Sequence, residues 1–196
     1  ASSPQPASNL ANWELSRIEQ LPIITEAAQP SLPLTFIQTN QSGLSLLISS
    51  RTAGATTAIN TSTREVEWAF TTQNTTYGTP ALNQNNGLIY FGSSDKNLYA
   101  ISPSGAFLDS FATQDSIVSR PVFAANTIWF SSEDGHIYCL TADLDPISAH
   151  SLELGGPVAS SPALWNNTAI FGDDNGTIAA VDTDCNLLWE YSAGDP

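Results

Sequence analysis

One pattern is spoken three times at a period of 41 residues. It runs T-P-A-L-N-Q-N-N-G-L-I-Y-F-G-S-S-D-K-N-L-Y-A-I from Thr79, R-P-V-F-A-A-N-T-I-W-F-S-S-E-D-G-H-I-Y-C-L from Arg120 and S-P-A-L-W-N-N-T-A-I-F-G-D-D-N-G-T-I-A-A-V from Ser161. Pro80, Pro121 and Pro162 mark the same place in each copy. A fixed period of this length constrains the fold more than any local motif, because each copy must be one supersecondary unit that buries its faces on its neighbours.

Each copy reads as short apolar runs separated by turn residues, and no stretch of ten or more residues has helical spacing of its apolar positions. The strands expected in the first unit are Leu34 to Gln38, Leu44 to Ser49, Ala55 to Ile59 and Val66 to Thr71. Thr79 to Leu82, Leu88 to Gly92, Leu98 to Ile101 and Phe107 to Phe111 make the second. The third has Ser119 to Phe123, Thr127 to Ser131, Ile137 to Leu140 and Ile147 to Leu152; the fourth has Ser160 to Leu164, Ala169 to Gly172, Ile178 to Val181 and Leu187 to Tyr191. S-S-D-K-N, S-S-E-D-G-H and D-D-N-G fall between second and third strands, where Asp, Asn and Gly tolerate the positive φ of tight hairpins. Four short antiparallel strands per ~40 residues is the period of a β-propeller blade. Phe70, Phe111, Leu152 and Tyr191 recur in the fourth strands and are assigned to packing between blades. The fold class is therefore all-β, with about four four-stranded blades spanning 34–76, 77–115, 116–156 and 157–196, a partial or half propeller. Residues 1–33 form an N-terminal arm: a polar, proline-bearing leader, one strand near Trp13, and a connection broken by Pro22, Pro30 and Pro33.

Composition limits the partners. Five Lys+Arg against 19 Asp+Glu give a formal net charge of -14, which disfavours phosphate backbones and anionic lipid surfaces. No apolar run approaches the ~20 residues that span a bilayer as a helix, so neither nucleic acid nor membrane insertion is expected. The chain contains no Met, and an upstream segment removed by processing is expected before Ala1. Cys139 falls where the sister units have Ala100 and Ala180 and is assigned a small core slot. Cys185 lies in a turn. Parity is the sole ground for a Cys139–Cys185 bridge at this level.

The third turn of the first unit, A-I-N-T-S-T-R-E-V-E-W from Ala58 to Trp68, resembles the tryptophan-docking pattern A-x-D-x-x-T-G-x-x-x-W of quinoprotein-like (pyrroloquinoline-quinone-type) β-propeller repeats. Asn60 stands for the usual Asp and Arg64 for the usual Gly. A-V-D-T-D-C-N-L-L-W, from Ala180 to Trp189, keeps Asp182 and Trp189 in a turn one residue shorter, whereas the two middle units keep the outline and lose the Trp. The resemblance covers roughly residues 34 to 194. It implies that Trp68 and Trp189 pack flat against the next blade. It also implies a ring of seven or eight blades, so that further blades, or a second copy as a homodimer, would complete this one. The family's enzymes use pyrroloquinoline quinone with Ca²⁺, held by an acidic residue and an amide and often covered by a vicinal disulfide. This chain has no Cys-Cys pair and no matching ligand set. Other members are non-catalytic and bind polypeptide, among them a periplasmic lipoprotein of β-barrel assembly and the luminal sensors of unfolded-protein kinases.

Elements of chemistry are sparse. Asp173, Asp174 and Asn175 are weak candidates for a Ca²⁺ site, against the reading that they form the hairpin turn common to all units. Asp182, Asp184 and Asn186 alternate like a Ca²⁺ loop but lack its downstream Gly and Glu. His136 and His150 have no ligand partner at metal spacing and read as surface histidines. Neither a nucleophile elbow nor a phosphate loop is present. Glycosylation sequons at Asn40, Asn60, Asn74, Asn166 and Asn175 are within what so Asn-, Ser- and Thr-rich a chain contains by chance. The expectation is a periplasmic or secreted, non-catalytic binding or scaffold module with a protein partner, no metal and no cofactor. The alternatives are a fragment of a quinone-dependent dehydrogenase and a luminal or periplasmic sensor domain.

Overall fold

The computed structural model describes residues 34–38, 45–50 and 54–192, with side chains described from 54 onward except 148–150. The chain divides into two compact units, Ala1–Ser31 and Leu32–Pro196. All described residues belong to the second, so the strand expected near Trp13 lies outside them; of His150 only the backbone is described.

Among the described residues there are sixteen strands and no helix. Blade 1 contains β1 (Leu34–Gln38), β2 (Ser45–Ser50), β3 (Ala55–Asn60) and β4 (Val66–Thr71). β5 (Ala81–Leu82), β6 (Ile89–Gly92), β7 (Asn97–Ile101) and β8 (Phe107–Ala112) make up blade 2. Blade 3 has β9 (Val122–Ala124), β10 (Thr127–Ser131), β11 (His136–Thr141) and β12 (Pro146–Glu153), and blade 4 has β13 (Ala163–Trp165), β14 (Thr168–Gly172), β15 (Thr177–Val181) and β16 (Leu187–Ser192). Every blade is a separate four-stranded sheet in which each strand pairs antiparallel with the next. The first strand of blade 1 has the expected bounds, whereas those of blades 2, 3 and 4 start later and are shorter than expected. Pro121 and Pro162 are buried just before them and bring no N–H to a ladder. One step earlier, side chains stand in for the missing backbone pairs: the Ser119 hydroxyl bonds the carbonyl and amide of Ser131, and that of Ser160 bonds those of Gly172.

Burial along the strands follows from how many faces of each blade are covered. In β6 and β10 every residue is buried, because alternate side chains enter two different cores. Ile89 and Phe91 of β6 pack with Ala58, Trp68 and Phe70 of blade 1, whereas Tyr90 packs with Ile128, Phe130 and Leu140 of blade 3. Trp129, Ile137 and Cys139 of blade 3 form a third core with Ala169, Phe171, Ala179 and Val181 of blade 4. The hydrophobic core thus consists of three layers between blades. Aromatic pairs fill two of them, with Phe70 edge-on to Phe91 at 5.8 Å and Phe111 edge-on to Phe130 at 6.2 Å.

A disulfide joins Cys139 of β11 to Cys185 of the β15–β16 turn, with the Cα atoms 5.8 Å apart. Cys139 does fill the small, fully buried slot of Ala100 and Ala180, and its sulfur also reaches across the third layer to the next blade. The bridge closes 46 residues of sequence, so in the chain-entropy picture it restrains the unfolded ensemble by up to ~4 kcal/mol, with 2–4 kcal/mol the usual yield. Replacing both cysteines by alanine is expected to lower the unfolding free energy by about 2–4 kcal/mol, read from urea midpoints of the oxidised protein and the double variant. Equal midpoints would contradict this account.

Candidate interaction surface

The third turn of each blade begins with a short polar side chain that accepts amide hydrogen bonds. Asn60 Oδ1 takes the N–H groups of Ser62 and Thr63, Ser102 Oγ that of Ala106, Thr141 Oγ1 those of Asp143 and Asp145, and Asp182 Oδ1 those of Asp184 and Asn186. Asn60 and Asp182 thus fill the same place in their turns, since one side-chain oxygen suffices. For Asp182, partial burial opposes ionisation, but the amides of Asn186 and Asp184 outweigh it and hold the carboxyl below its usual range. Near its end each turn passes through positive φ, at Arg64 (65°), Gly105 (81°), Leu144 (63°) and Cys185 (66°).

These turns receive the preceding blade. Trp68 Nε1 donates to Pro103 O at 2.8 Å, with its indole lying against Gly105. Tyr90 Oη donates to Ala142 O. Thr127 Oγ1 and Trp129 Nε1 donate to Thr183 O and Asp182 O at 3.0 and 3.1 Å. The donors differ in strand but not in neighbourhood. Trp68 of β4 lies opposite Ala58, whereas Tyr90 of β6 and Trp129 of β10 lie opposite Ala100 and Cys139. In the middle units, which lack the fourth-strand Trp, the second strand thus supplies the aromatic. The sequence signal for Tyr90 and Trp129 was an aromatic facing a small residue of the third strand.

The second-to-third-strand turns tie down the connectors. Asp95 Oδ2 accepts from the Gln73 amide (2.9 Å) and Tyr99 Oη (2.8 Å), and Asp134 Oδ2 from the Gln114 amide and Tyr138 Oη, both at 2.8 Å. Burial first, then the bonded carboxylate, raises Tyr99 and Tyr138 well above the ordinary phenol value. His136 is half-buried rather than a plain surface histidine, with Nδ1 3.4 Å from Asp134 Oδ1. In blade 4, Asn175 replaces the Asp and Ala179 the Tyr; Asn175 Nδ2 donates to Gly155 O. Asp173 Oδ1 accepts the amides of Asn175 and Thr177, so Asp173, Asp174 and Asn175 are held in a hairpin turn. Asp173 Oδ2 is buried with no hydrogen-bond partner. Among the described residues, no three His, Cys, Asp or Glu side chains converge as a metal site.

Blade 4 breaks the pattern. In β14 the inward Ala169 and Phe171 are buried, but Thr168, Ile170 and Gly172 are half-buried, although A-I-F reads like the doubly covered I-Y-F and I-W-F. By register, Trp165, Ile170, Ile178, Trp189 and Tyr191 share the face turned away from blade 3. Trp165 is 68% exposed, Tyr191 62%, Trp189 47% and Ile178 39%. Their counterparts in blade 3, Ala124, Ile137 and Leu152, lie in or against the third core. Trp189 is therefore not docked on another blade among the described residues, in contrast to Trp68. A contiguous apolar face of this kind is a candidate for association.

No protein-family model matches the chain, and no curated protein matches it. Solved structures do. The computationally designed Ika8 protein superposes with a TM-score of 0.68 at 17% identity, over 84% of this chain and 50% of that one. The designed Ika4 protein gives 0.65 at 16% identity over 79% and 92%, and BamB from Moraxella catarrhalis 0.62 at 16% identity over 83% and 52%. The chain spans about half the length of Ika8 and of BamB. At these identities the likeness concerns the fold, which is that of β-propeller blades.

Two outcomes are expected from this geometry. A Cβ at position 105 would lie 2.5 Å from Trp68 Cγ at a φ of +81°, so Gly105→Ala should cost roughly 1–3 kcal/mol in chemical denaturation; no loss would refute the docking requirement. Because Tyr99 and Tyr138 have raised folded-state pKa values, their contribution is fully present below the unfolded value of about 10 and falls as pH climbs above it. The melting temperature of the native chain should drop between pH 9 and 12 more steeply than that of the double variant Tyr99→Phe, Tyr138→Phe, and parallel curves would refute it.

Proposed function

We propose that the chain is a non-catalytic β-propeller module of the quinoprotein-like repeat type, which binds other polypeptides through the outward face of blade 4. The observation that carries this reading is the exposure of Trp165, Ile178, Trp189 and Tyr191 on one sheet face, since large exposed apolar patches serve association. Trp and Tyr are also the residues that anchor protein interfaces. The repeat assignment is supported by the docked indole of Trp68 and by the amide-accepting residue at the head of all four turns. The Cys139–Cys185 bridge supports a periplasmic or secreted setting, where disulfides persist. The net charge of -14 favours a neutral or basic protein surface over nucleic acid.

The dehydrogenase reading separates from this one by titration. With pyrroloquinoline quinone and Ca²⁺, the module is expected to give no saturable change in quinone absorbance, and a dye specific for apolar surface is expected to bind and to lose most of its signal in the double variant Trp165→Ala, Trp189→Ala. Tight quinone binding would replace the binding module by a cofactor-dependent enzyme fragment.

A further inference from the structure

The outward face of blade 4 is uncharged, and its two ends are not. By register, no position that shares the face with Trp165, Ile178, Trp189 and Tyr191 carries a charge, and Glu190, between Trp189 and Tyr191, falls on the other face by strand alternation. Blade 4 has no Lys, Arg or His between Pro157 and Ser192; its charged side chains are Asp173, Asp174, Asp182, Asp184 and Glu190. Apart from Glu190, they lie in the two turns that bound the face. The β14–β15 turn brings Asp173 and Asp174 to the end where Ile178 pairs with Tyr191, and the β15–β16 turn brings Asp182 and Asp184 to the end where Trp165 stands. Asp173 and Asp182 hold their turns through backbone amides, which leaves the exposed carboxylates of Asp174 and Asp184 to solvent. Between the turns β15 has five residues, so the apolar stretch is about 17 Å long.

Resting on the reading of this face as a protein-binding surface, we infer that its occupant is a polypeptide segment with about five extended residues, apolar at alternate positions, between lysine or arginine side chains at both ends. The apolar side chains meet Trp189, Ile178 and Tyr191, and the cationic ends come to the carboxylates of Asp174 and Asp184. At the Trp165 end the exposed indole adds a ring face for the cation. A second copy of the chain is a poor occupant. Pairing this face with itself about a two-fold axis sets each acidic turn against another acidic turn, and blade 4 has no cation to answer it. With a net charge of -14, the chain as a whole also repels its own kind and attracts a basic segment before contact.

The test titrates the full chain, by calorimetry at low salt, with peptides in which Leu-Thr-Phe-Thr-Leu is flanked on each side by a pair of lysines, of serines or of glutamates. The lysine-flanked peptide is expected to bind about ten-fold more tightly than the serine-flanked one, and the glutamate-flanked one more weakly than either. The double variant Asp174→Asn, Asp184→Asn removes exposed carboxylates and no packed group, and is expected to erase most of that advantage, as is salt at about 0.5 M. Trp165→Ala, Trp189→Ala is expected to lose all three peptides. Equal binding of the lysine- and serine-flanked peptides overturns the inference and leaves the interaction surface standing. An advantage that survives Asp174→Asn, Asp184→Asn does the same. Lysine-flanked binding that persists without the two indoles overturns it as well, because the peptide then sits elsewhere. Self-association of the native chain that Trp189→Ala abolishes overturns it in favour of a second copy. If no peptide binds while the apolar dye does, the inference fails alone; if neither binds, the interaction surface fails with it.

Discussion

Ladder hydrogen bonds stop at the edge of each blade. The four sheets are separate, so what makes them one body is the layer of side chains between successive faces, and every other feature depends on that layer. It explains why buried residues fall into three clusters instead of one, each drawing on two blades. It also explains why strands with similar sequences differ in burial. β6 and β10 have two neighbours and are closed on both sides, whereas β14 has one and is closed on alternate residues. Burial is here a property of position in a stack more than of the strand itself.

The joints reuse one site with different chemistry. At the third turn, the first joint sets an indole against glycine, the second a phenol hydroxyl and the buried Leu144, and the third an indole, a threonine hydroxyl and a covalent sulfur bridge. The backbone demand is the same in all: a carbonyl presented to the preceding blade and a residue at positive φ. Leu144 and Cys185 adopt this region at a steric cost that glycine avoids. In return they place a side chain in the joint, which glycine cannot.

The blade architecture was legible in the sequence because period, turn chemistry and apolar runs all point the same way. Strand limits near Pro121 and Pro162 were less so, since a serine hydroxyl that imitates a backbone partner leaves no mark in hydropathy. Tyr90 and Trp129 were missed as docking residues for a related reason: the repeat pattern places its Trp on the fourth strand, whereas the space beside Ala100 and Cys139 can be filled from either side. The disulfide was legible only as a possibility from parity, because its two cysteines lie in different units and become neighbours only through the stacking of blades. Blade 4 shows the converse. Its sequence matches its sisters so closely that nothing local signals an uncovered face; exposure there depends on which neighbour is present.

The sulfur bridge gains a further meaning from that exposed face. Among the described residues blade 4 rests on a single joint, and a unit held on one side opens more cheaply than one held on two, exposing strands to proteases and to pairing with other chains. By tying the turn of blade 4 to β11, the bond confines such excursions to a tethered movement in which Cys185 cannot leave Cys139. In a reducing medium the same blade is held by the side-chain layer and by the Thr127 and Trp129 hydrogen bonds alone. The bond thus holds in covalent form the one joint on which blade 4 rests among the described residues.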